Sequence, residues 1–544
     1  MNERRGVIGA LALLIGSLLL VAAIGQSAGA QAGRSGGVVR INSGSDFSTL
    51  DPALGMDNEI SYATCAHLMT NVWRPLPHAT GSKKFSGDVR LVPEVAASYP
   101  KVFHGGRTYT FRLRRSFRFN TGPRVTAASF ARAFRRVLDP KLSSPGAGLL
   151  AIVEGAQAVA DGRANRVSGV SARGNTLTVR LRRAAPDFLP RLALSYFCAV
   201  PAGLPIRREG VELVPSAGPY YVWRWDHGRY VYLRRNRHYA GTRPQRPDQI
   251  LFSIGNDPQT TALQVARNQV DFGFVPFGSF ASLASQYGFN KQVFAFATDG
   301  TRVLALNMER PIFRKNLKLR KAIAYAIDRA HLVSLYGKYG ASPTDQYLPP
   351  GLPGFRDSRI YPFHADPARA KRLARGHTPS EKIQFWTCNA GACPDRALLI
   401  KNELEQIGLK VEVHQFEVND LYDSAAVRGA PFDIADVVVF SEYFDPYPLF
   451  QAFDGRTINA SRNVNLAYFD SNRYNRRIDA ASRLFRAARY RAYGKLDADL
   501  ARNVVPYVAY ANPNNRIFKS ARAGCFHYNV AYGIDFGAIC LKLK

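Results

Sequence analysis

The sequence has few acidic side chains and none of the spaced motifs that mark common enzyme classes. Asp and Glu number 41 against 73 Lys and Arg, a formal net charge of +32. No H-E-x-x-H zinc helix, P-loop or G-x-G-x-x-G after a strand occurs, and the ten histidines lack metal-ligand spacing. These absences argue against zinc enzymes and nucleotide-dependent enzymes. A serine triad stays open, because its members come from distant positions.

Long apolar runs are also missing, except near the start of the chain. Arg4 and Arg5 precede the apolar residues 7–24, and small residues follow at 25–30. This order predicts a secretory signal peptide. A twin-arginine signal is an alternative that the surrounding residues match poorly. The G-x-S-x-G pattern at 25–29 lies inside this segment, so we do not interpret it as a nucleophile.

The predicted signal peptide covers residues 1–32, with cleavage after Ala30 or Ala32. An uncleaved membrane anchor is the alternative, because the apolar run is nearly long enough to span a bilayer. The first cysteine is Cys65, so a lipid anchor on an N-terminal cysteine is not expected.

The remaining composition is that of a globular protein, with 46% hydrophobic and 21% charged residues. A chain of 544 residues exceeds one hydrophobic core and predicts two or three domains. The basic residues are spread along the chain without a nucleic-acid motif, so no nucleic-acid partner is expected. A generally basic surface is the favoured interpretation of the charge, and an acidic ligand is the alternative.

Six cysteines fit an oxidising compartment. Six cysteines allow fifteen pairings, so spacing alone does not fix the connectivity. A zinc site is the alternative for the pair that flanks residues 389–392, but it lacks C-x-x-C spacing and a nearby histidine. Proximity favours the disulfides Cys388–Cys393 and Cys525–Cys540, which leaves Cys65–Cys198.

Local patterns predict a mixed α/β chain. Alternating β-branched and aromatic residues predict strands over 37–42, 109–114, 176–181, 220–223, 230–233 and 250–254. Apolar residues at helical spacing predict helices from Thr126 to Pro140, over 257–268, and as one continuous helix from Lys318 to Leu335.

The clearest βαβ unit lies in the second half of the chain. Residues 383–386 form a predicted strand, Pro394 opens a helix, Gly408 ends it, and 409–413 form the next strand. Residues 432–440 are nearly all apolar, which is typical of a buried strand.

The loop after that buried strand is the candidate ligand site. In parallel sheets, ligands bind beyond the carboxyl ends of the strands. The candidate residues are Phe440, Ser441, Glu442 and Tyr443. Aromatic walls with a few polar groups are how small-ligand sites are built.

An ordered set of motifs then resembles one family, the peptide- and nickel-binding branch of ABC-importer solute-binding proteins. The resemblance spans nearly the whole chain after the signal segment. Departures are a Gly105-Gly106 turn, Asn120-Thr121-Gly122 before the first long helix, and the missing lipid-anchoring cysteine. The matching segments are Leu50–Pro52, Leu91–Ser98, Thr108–Arg114, Ser216–Tyr220, Leu319–Arg329, Pro349–Gly351 and Asp366–Lys371.

The resemblance implies an α/β fold of two lobes, the type II periplasmic-binding-protein fold, with a hinge and an inserted subdomain. Lobe one would comprise 37–297 with the insert near 64–204, completed by 515–544, and lobe two would comprise 298–514. In peptide-binding members, an Asp four residues before a Pro holds the ligand's α-amino group. Glu442, four residues before Pro446, occupies that position here.

The function implied is that of an extracytoplasmic receptor. It would capture peptides by lobe closure and deliver them to a membrane permease as a monomer, without enzymatic activity and without a cofactor. A receptor of the same fold for a nickel chelate, haem or glycan is the first alternative. An exported hydrolase is the second.

Export makes a direct prediction about the mature chain. The protein recovered outside the cytoplasm should lack residues 1–30 or 1–32, because a peptidase cleaves after small residues. Intact mass spectrometry of the exported protein measures this. A full-length mass would instead support the uncleaved anchor.

Overall fold

The computed structural model describes residues 35–276 and 278–542. The predicted signal peptide, residues 1–32, lies outside the described residues. Within the described ranges, no helix combines the length and the apolar character needed to cross a membrane.

The strands include every one that the sequence pattern predicts. Their bounds are β1 Val38–Ser43, β2 Met69–Arg74, β3 Asp88–Pro93, β4 Lys101–Phe103, β5 Thr108–Arg112, β6 Val170–Arg173, β7 Thr176–Arg180, β8 Tyr220–Asp226, β9 Tyr230–Arg235, β10 Gln249–Ile254, β11 Phe272–Gly273, β12 Val293–Ala297, β13 Gly300–Leu306, β14 Ala341–Pro343, β15 Lys382–Cys388, β16 Lys410–Phe416, β17 Ile434–Phe440, β18 Tyr507–Lys519, β19 Ala523–Gly524, β20 Tyr528–Asn529, β21 Gly533–Ile534 and β22 Cys540–Leu541.

The helices lie between and around these strands. Their bounds are α1 Asn58–Thr64, α2 Lys83–Ser86, α3 Ala127–Leu138, α4 Ala156–Ala160, α5 Phe188–Arg191, α6 Pro258–Ala266, α7 Phe280–Tyr287, α8 Pro311–Arg314, α9 Leu317–Ala326, α10 Arg329–Ser334, α11 Pro367–Ala374, α12 Cys393–Glu405, α13 Val418–Ala425, α14 Tyr447–Phe450, α15 Asn472–Ser482 and α16 Arg486–Asn503.

One mixed sheet runs through the described chain in the order β16-β15-β17-β13-β18-β11-β1-β10-β9-β8, with β12 and β14 also paired to β18. The sheet has two halves, β16-β15-β17-β13 and β11-β1-β10-β9-β8, and strand β18 belongs to both of these half-sheets. Residues 507–511 pair with β13, whereas residues 514–518 pair with β12. The chain also passes between the halves at 298–299, which separate β12 from β13. The two half-sheets are therefore joined by two neighbouring segments.

The βαβ unit predicted from sequence is confirmed. Strands β15 and β16 pair in parallel and are connected by α12, and Gly408 has a φ of +93°, which favours glycine at the end of the helix. Strand β17 lies between β15 and β13, and six of its seven residues are buried or half-buried. The candidate loop therefore begins where a central strand ends.

Residues 53–217 form a hydrophobic core of their own, beside the main sheet. Four strands form a sheet in the order β4-β5-β7-β6, and β6 and β7 pack against α3, whose N-cap Thr126 forms a capping box with Ser129. The buried side chains of this cluster all come from 53–217 except Tyr443, which comes from the loop after β17. The candidate loop thus contributes a ring to the core of a distant part of the chain.

The single helix predicted for 318–335 is wrong, because the structure has two helices there. Helix α9 ends at Ala326, and Ile327 is extended with ψ at 117°. Asp328 then caps α10, its Oδ1 accepting the backbone N–H of His331 at 2.7 Å. Asp is more favourable at an N-cap than inside a helix, so a new helix begins at Asp328.

Arg329, the first residue of α10, makes buried hydrogen bonds at the break between α9 and α10. Its guanidinium is 1% exposed and donates to backbone carbonyls of Ala509 and Thr344, at 2.9 and 3.2 Å, and of Ala324 at 2.9 Å. Burial lowers its pKa to about 10, although nearby acids such as Asp345 oppose this shift. Arg329 therefore ties the helices to β18.

The six cysteines form three disulfides: Cys65–Cys198, Cys388–Cys393 and Cys525–Cys540. Each joins Cα atoms 5.3 to 5.4 Å apart, within the range that a disulfide spans. The sequence separations are 133, 5 and 15 residues, so the first closes by far the longest loop.

Loop length predicts unequal contributions from these bonds. The chain-entropy relation gives roughly 5 kcal/mol for the 133-residue separation and roughly 2 kcal/mol for the 5-residue one. We expect Cys65→Ala with Cys198→Ala to lower the free energy of unfolding more than Cys388→Ala with Cys393→Ala does. Denaturant titration of both double variants measures this. Equal losses would contradict it.

Candidate functional site

The candidate loop is a tight turn whose backbone is held by its own first residue. The hydroxyl of Ser441 donates to the carbonyl oxygens of Tyr443 and Asp445, at 2.9 and 2.6 Å. The backbone N–H of Ser441 donates to the carbonyl of Asp299 at 3.3 Å, which joins the loop to the turn before β13. Glu442 therefore projects from a fixed turn.

A small cavity of about 40 Å³ lies over this turn. The turn and its neighbours supply one wall, through Asp299, Leu352 and 441–444. Residues from other parts of the chain supply the opposite wall: Asn58, Asn71, Leu194 and Ala531 among them. Segments from both halves of the chain thus bound the cavity, and its volume is enough for a group the size of an ammonium.

The four candidate residues occupy different environments. Phe440 is 57% exposed at the end of β17 and does not line this cavity, whereas Ser441, Glu442 and Tyr443 do. Ser441 and Tyr443 are buried, with their hydroxyls bonded to the loop carbonyls and to Asp187. Their roles in ligand binding stay predictions.

The Glu442 side chain is exposed, and yet its carboxylate is partly desolvated. Its side chain contacts solvent, but the cavity walls displace enough water to raise its pKa, and the charge of Arg191 partly offsets this. Among the described residues, none makes a hydrogen bond or an ion pair with its carboxylate. A carboxylate in that state has unused capacity to bind a cation.

Acidic residues that the sequence analysis missed lie around the same region. Asp299 faces the cavity, and burial raises its pKa. Asp57 and Glu59 line a neighbouring cavity of about 570 Å³ at the end of β1. Asp57 caps α1, a helix-start signal that was readable from the sequence and was not used.

Glu59 holds a proton more tightly than an ordinary carboxyl. Burial, followed by the charge of Asp57, raises its pKa to about 8, and the backbone N–H of Ile534, 2.9 Å from Oε1, opposes the shift. Glu59 is therefore largely protonated at neutral pH. It contributes less negative charge to its cavity than its residue type suggests.

One cluster has the residue types of a metal site. Donor atoms of Cys65, His67 and Cys198 lie within 4.8 Å of one another and are buried. Both sulfur atoms belong to the disulfide, so they are not thiolate ligands. His67 alone does not make a metal site, and burial lowers its pKa to about 3.

Comparison with known proteins identifies the class to which this chain belongs. The family described as bacterial extracellular solute-binding proteins, family 5 Middle, matches residues 90–461. The chain is 24% identical over 490 residues to dipeptide-binding protein DppE of Bacillus subtilis (strain 168), covering 83% of this chain and 85% of that protein. It is 27% identical over 320 residues to the nickel-binding periplasmic protein of Escherichia coli (strain K12), covering 57% and 56%.

The fold itself matches solved structures. Clavulanic acid biosynthesis oligopeptide binding protein 2 superposes with a TM-score of 0.84 at 21% identity, covering 94% of this chain and 96% of that one. The α/β fold is that of the type II periplasmic binding proteins. The chain belongs to family 5 of the bacterial extracellular solute-binding proteins, which serve ABC transporters.

The raised pKa of Glu59 predicts how stability depends on pH. Its folded pKa of about 8 exceeds the ordinary value of 4.5, so the folded chain binds more protons between these values. Stability from this group is full below about pH 4.5 and is lost as pH rises toward 8. We expect Glu59→Gln, whose amide oxygen keeps the Ile534 bond, to lose less stability from pH 5 to 8 than wild type. Denaturant titrations at both pH values measure the free energy of unfolding of each protein. An equal loss of this free energy from pH 5 to 8 in wild type and Glu59→Gln would refute the prediction.

Proposed function

We propose that the protein captures peptides with a free amino terminus, and that Glu442 receives the ligand's ammonium group. The observation that carries the proposal is the unpaired Glu442 carboxylate beside the cavity. Burying an ammonium is costly unless a charge meets it, and this carboxylate is placed to do so. Its raised pKa means that the charge is lost at a higher pH than in an ordinary glutamate.

The relatives support a peptide ligand as the first choice. Proteins named for binding dipeptides and oligopeptides are similar to this chain over most of their length. Peptide backbone contacts are independent of sequence when an extended ligand lies along a cleft. Selectivity would then come mainly from the charge at the amino terminus. A nickel chelate is the alternative ligand, because one relative is named for binding nickel. Haem and a glycan are further alternatives.

Capture would proceed by closure of two lobes. The proposed lobes are 37–297 with 515–544 and 298–514, and the insert is 64–204. Two neighbouring segments join the half-sheets, which is the arrangement that a hinge requires. The separate core of residues 53–217 supports an inserted subdomain.

Delivery would follow to an ABC permease in the membrane, outside the cytoplasm. We propose a monomer with no nucleic-acid partner, cofactor or hydrolytic activity. The relatives are named as a dipeptide-binding protein and a nickel-binding periplasmic protein. Recovery of the ligand unchanged after incubation would distinguish this receptor from an exported hydrolase.

Glu442→Gln tests the proposed role of the carboxylate. We expect it to weaken binding of a free-amine peptide by about 2 kcal/mol, the lower end for losing one member of a charge pair, because Glu442 stays in contact with water. Wild type should bind the N-acetylated peptide more weakly than the free-amine peptide. The difference between these two affinities should be smaller in the variant. Isothermal titration calorimetry with the peptide pair measures both effects.

Glu381→Gln is the matched control, because Glu381 is an exposed glutamate before β15 and away from the cavity. It makes the same change in charge and should leave the affinity as in wild type. Equal affinities of wild type for the free and acetylated peptides would remove Glu442 from this role. The chelate, haem and glycan alternatives would then take precedence.

A further inference from the structure

A buried cluster of polar side chains joins helix α5 to the loop after β17. The hydroxyl of Tyr443 donates a 2.5 Å hydrogen bond to Oδ2 of Asp187, at the N-cap position of α5. Arg191, at the end of the same helix, donates to that oxygen from Nη2 at 2.5 Å and from Nε at 3.0 Å. One carboxylate oxygen thus receives donors from two distant parts of the chain.

The other end of the loop is held by a second ion pair. Arg489 of α16 donates to Asp445 from Nη2 at 2.7 Å and from Nε at 3.0 Å. Its Nη2 also lies 4.0 Å from Oδ1 of Asp187, which brings the two pairs together. Two carboxylates face two guanidinium groups, so the cluster is balanced in charge.

Every member of this cluster is almost completely removed from water. The exposed fractions are 2% for Asp187, 6% for Arg191, 5% for Tyr443, 2% for Asp445 and 2% for Arg489. Breaking one member of a buried charge cluster is strongly unfavourable, because the partner's charge stays buried without compensation. Separating α5 from the loop would therefore leave buried charges without their partners.

Glu442 lies just before the two loop residues that this cluster holds, Tyr443 and Asp445. Tyr443 follows it directly, and the Ser441 hydroxyl fixes the carbonyls of Tyr443 and Asp445. The Tyr443 ring is also packed in the core of residues 53–217. A displacement of that ring away from α5 would be transmitted through this short turn to the Glu442 carboxylate.

We propose that Asp187 is a positioning residue, which binds the Tyr443 hydroxyl and thereby fixes the Glu442 carboxylate for the ligand's ammonium group. This ligand role rests on the proposed function. The contact couples two events: α5 approaches the loop, and Glu442 adopts its binding orientation. Asp187 touches Tyr443 and Arg191, and it acts on the ligand only through the loop.

Tyr443→Phe tests the proposal with little disturbance, since it removes one hydroxyl and keeps the ring in the core. Two readouts are needed. The first is the ratio of affinities for a free-amine peptide and its N-acetylated form, by calorimetry, which we expect to fall about fivefold or more from wild type. The second is small-angle X-ray scattering without peptide, which we expect to give a larger radius of gyration than wild type because α5 separates from the loop.

Tyr447→Phe is the control, because among the described residues its hydroxyl accepts only a long 3.4 Å bond, from Arg183 near the same loop. It should match wild type in both readouts. Asp187→Asn is the second variant: its amide oxygen can still accept from Tyr443, but two arginines lose a counter-charge. We expect a larger change than for Tyr443→Phe, with thermal denaturation checking that each variant is folded.

The outcomes separate this inference from the proposed function. If wild type binds no peptide, the proposed function fails, while the scattering comparison still tests the contact. An unchanged radius of gyration in folded Tyr443→Phe and Asp187→Asn would overturn the inference. So would a larger radius with an unchanged affinity ratio, since Asp187 would then hold the halves together without positioning Glu442.

Discussion

The architecture depends on one strand that two half-sheets share. Strand β18 pairs with β13 through residues 507–511 and with β12 through 514–518. Pro513 stands between these segments. It has no N–H to donate, and its carbonyl accepts from Thr298, so it suits a position where the pairing changes partner. At the crossing itself, residues 511–513 pair with β14, so strand pairing continues along β18 from one half of the sheet to the other.

Part of the arginine content lies inside the protein. Arg136 pairs with Asp51, and Arg243 with Glu94, in fully buried contacts, and Arg329 binds backbone carbonyls. A guanidinium group offers five donors in a fixed plane, so it can satisfy several buried acceptors together. Several motif residues of the family are therefore structural. They explain the resemblance without identifying the ligand.

The sequence predicted part of the strands, the βαβ unit and the disulfides Cys388–Cys393 and Cys525–Cys540 because each depends on local spacing, and Cys65–Cys198 followed by elimination. The helix over 318–335 was wrong, since its apolar spacing continues through Asp328 while capping divides it. The position of Glu442 came from the family resemblance. The opposite wall of the cavity, with Asn58, Asn71 and Ala531, was beyond local reasoning, because these residues meet only in the folded chain. Asp187 was missed for the same reason.

The central claim is that Glu442 recognises the amino terminus of a peptide. A crystal structure of the protein with a short free-amine peptide such as trialanine tests it most directly. The account predicts the amino terminus of the peptide at the cavity over the turn at 441–445, with its ammonium nitrogen within hydrogen-bond distance of the Glu442 carboxylate. A peptide bound with its ammonium group away from Glu442 would contradict the account.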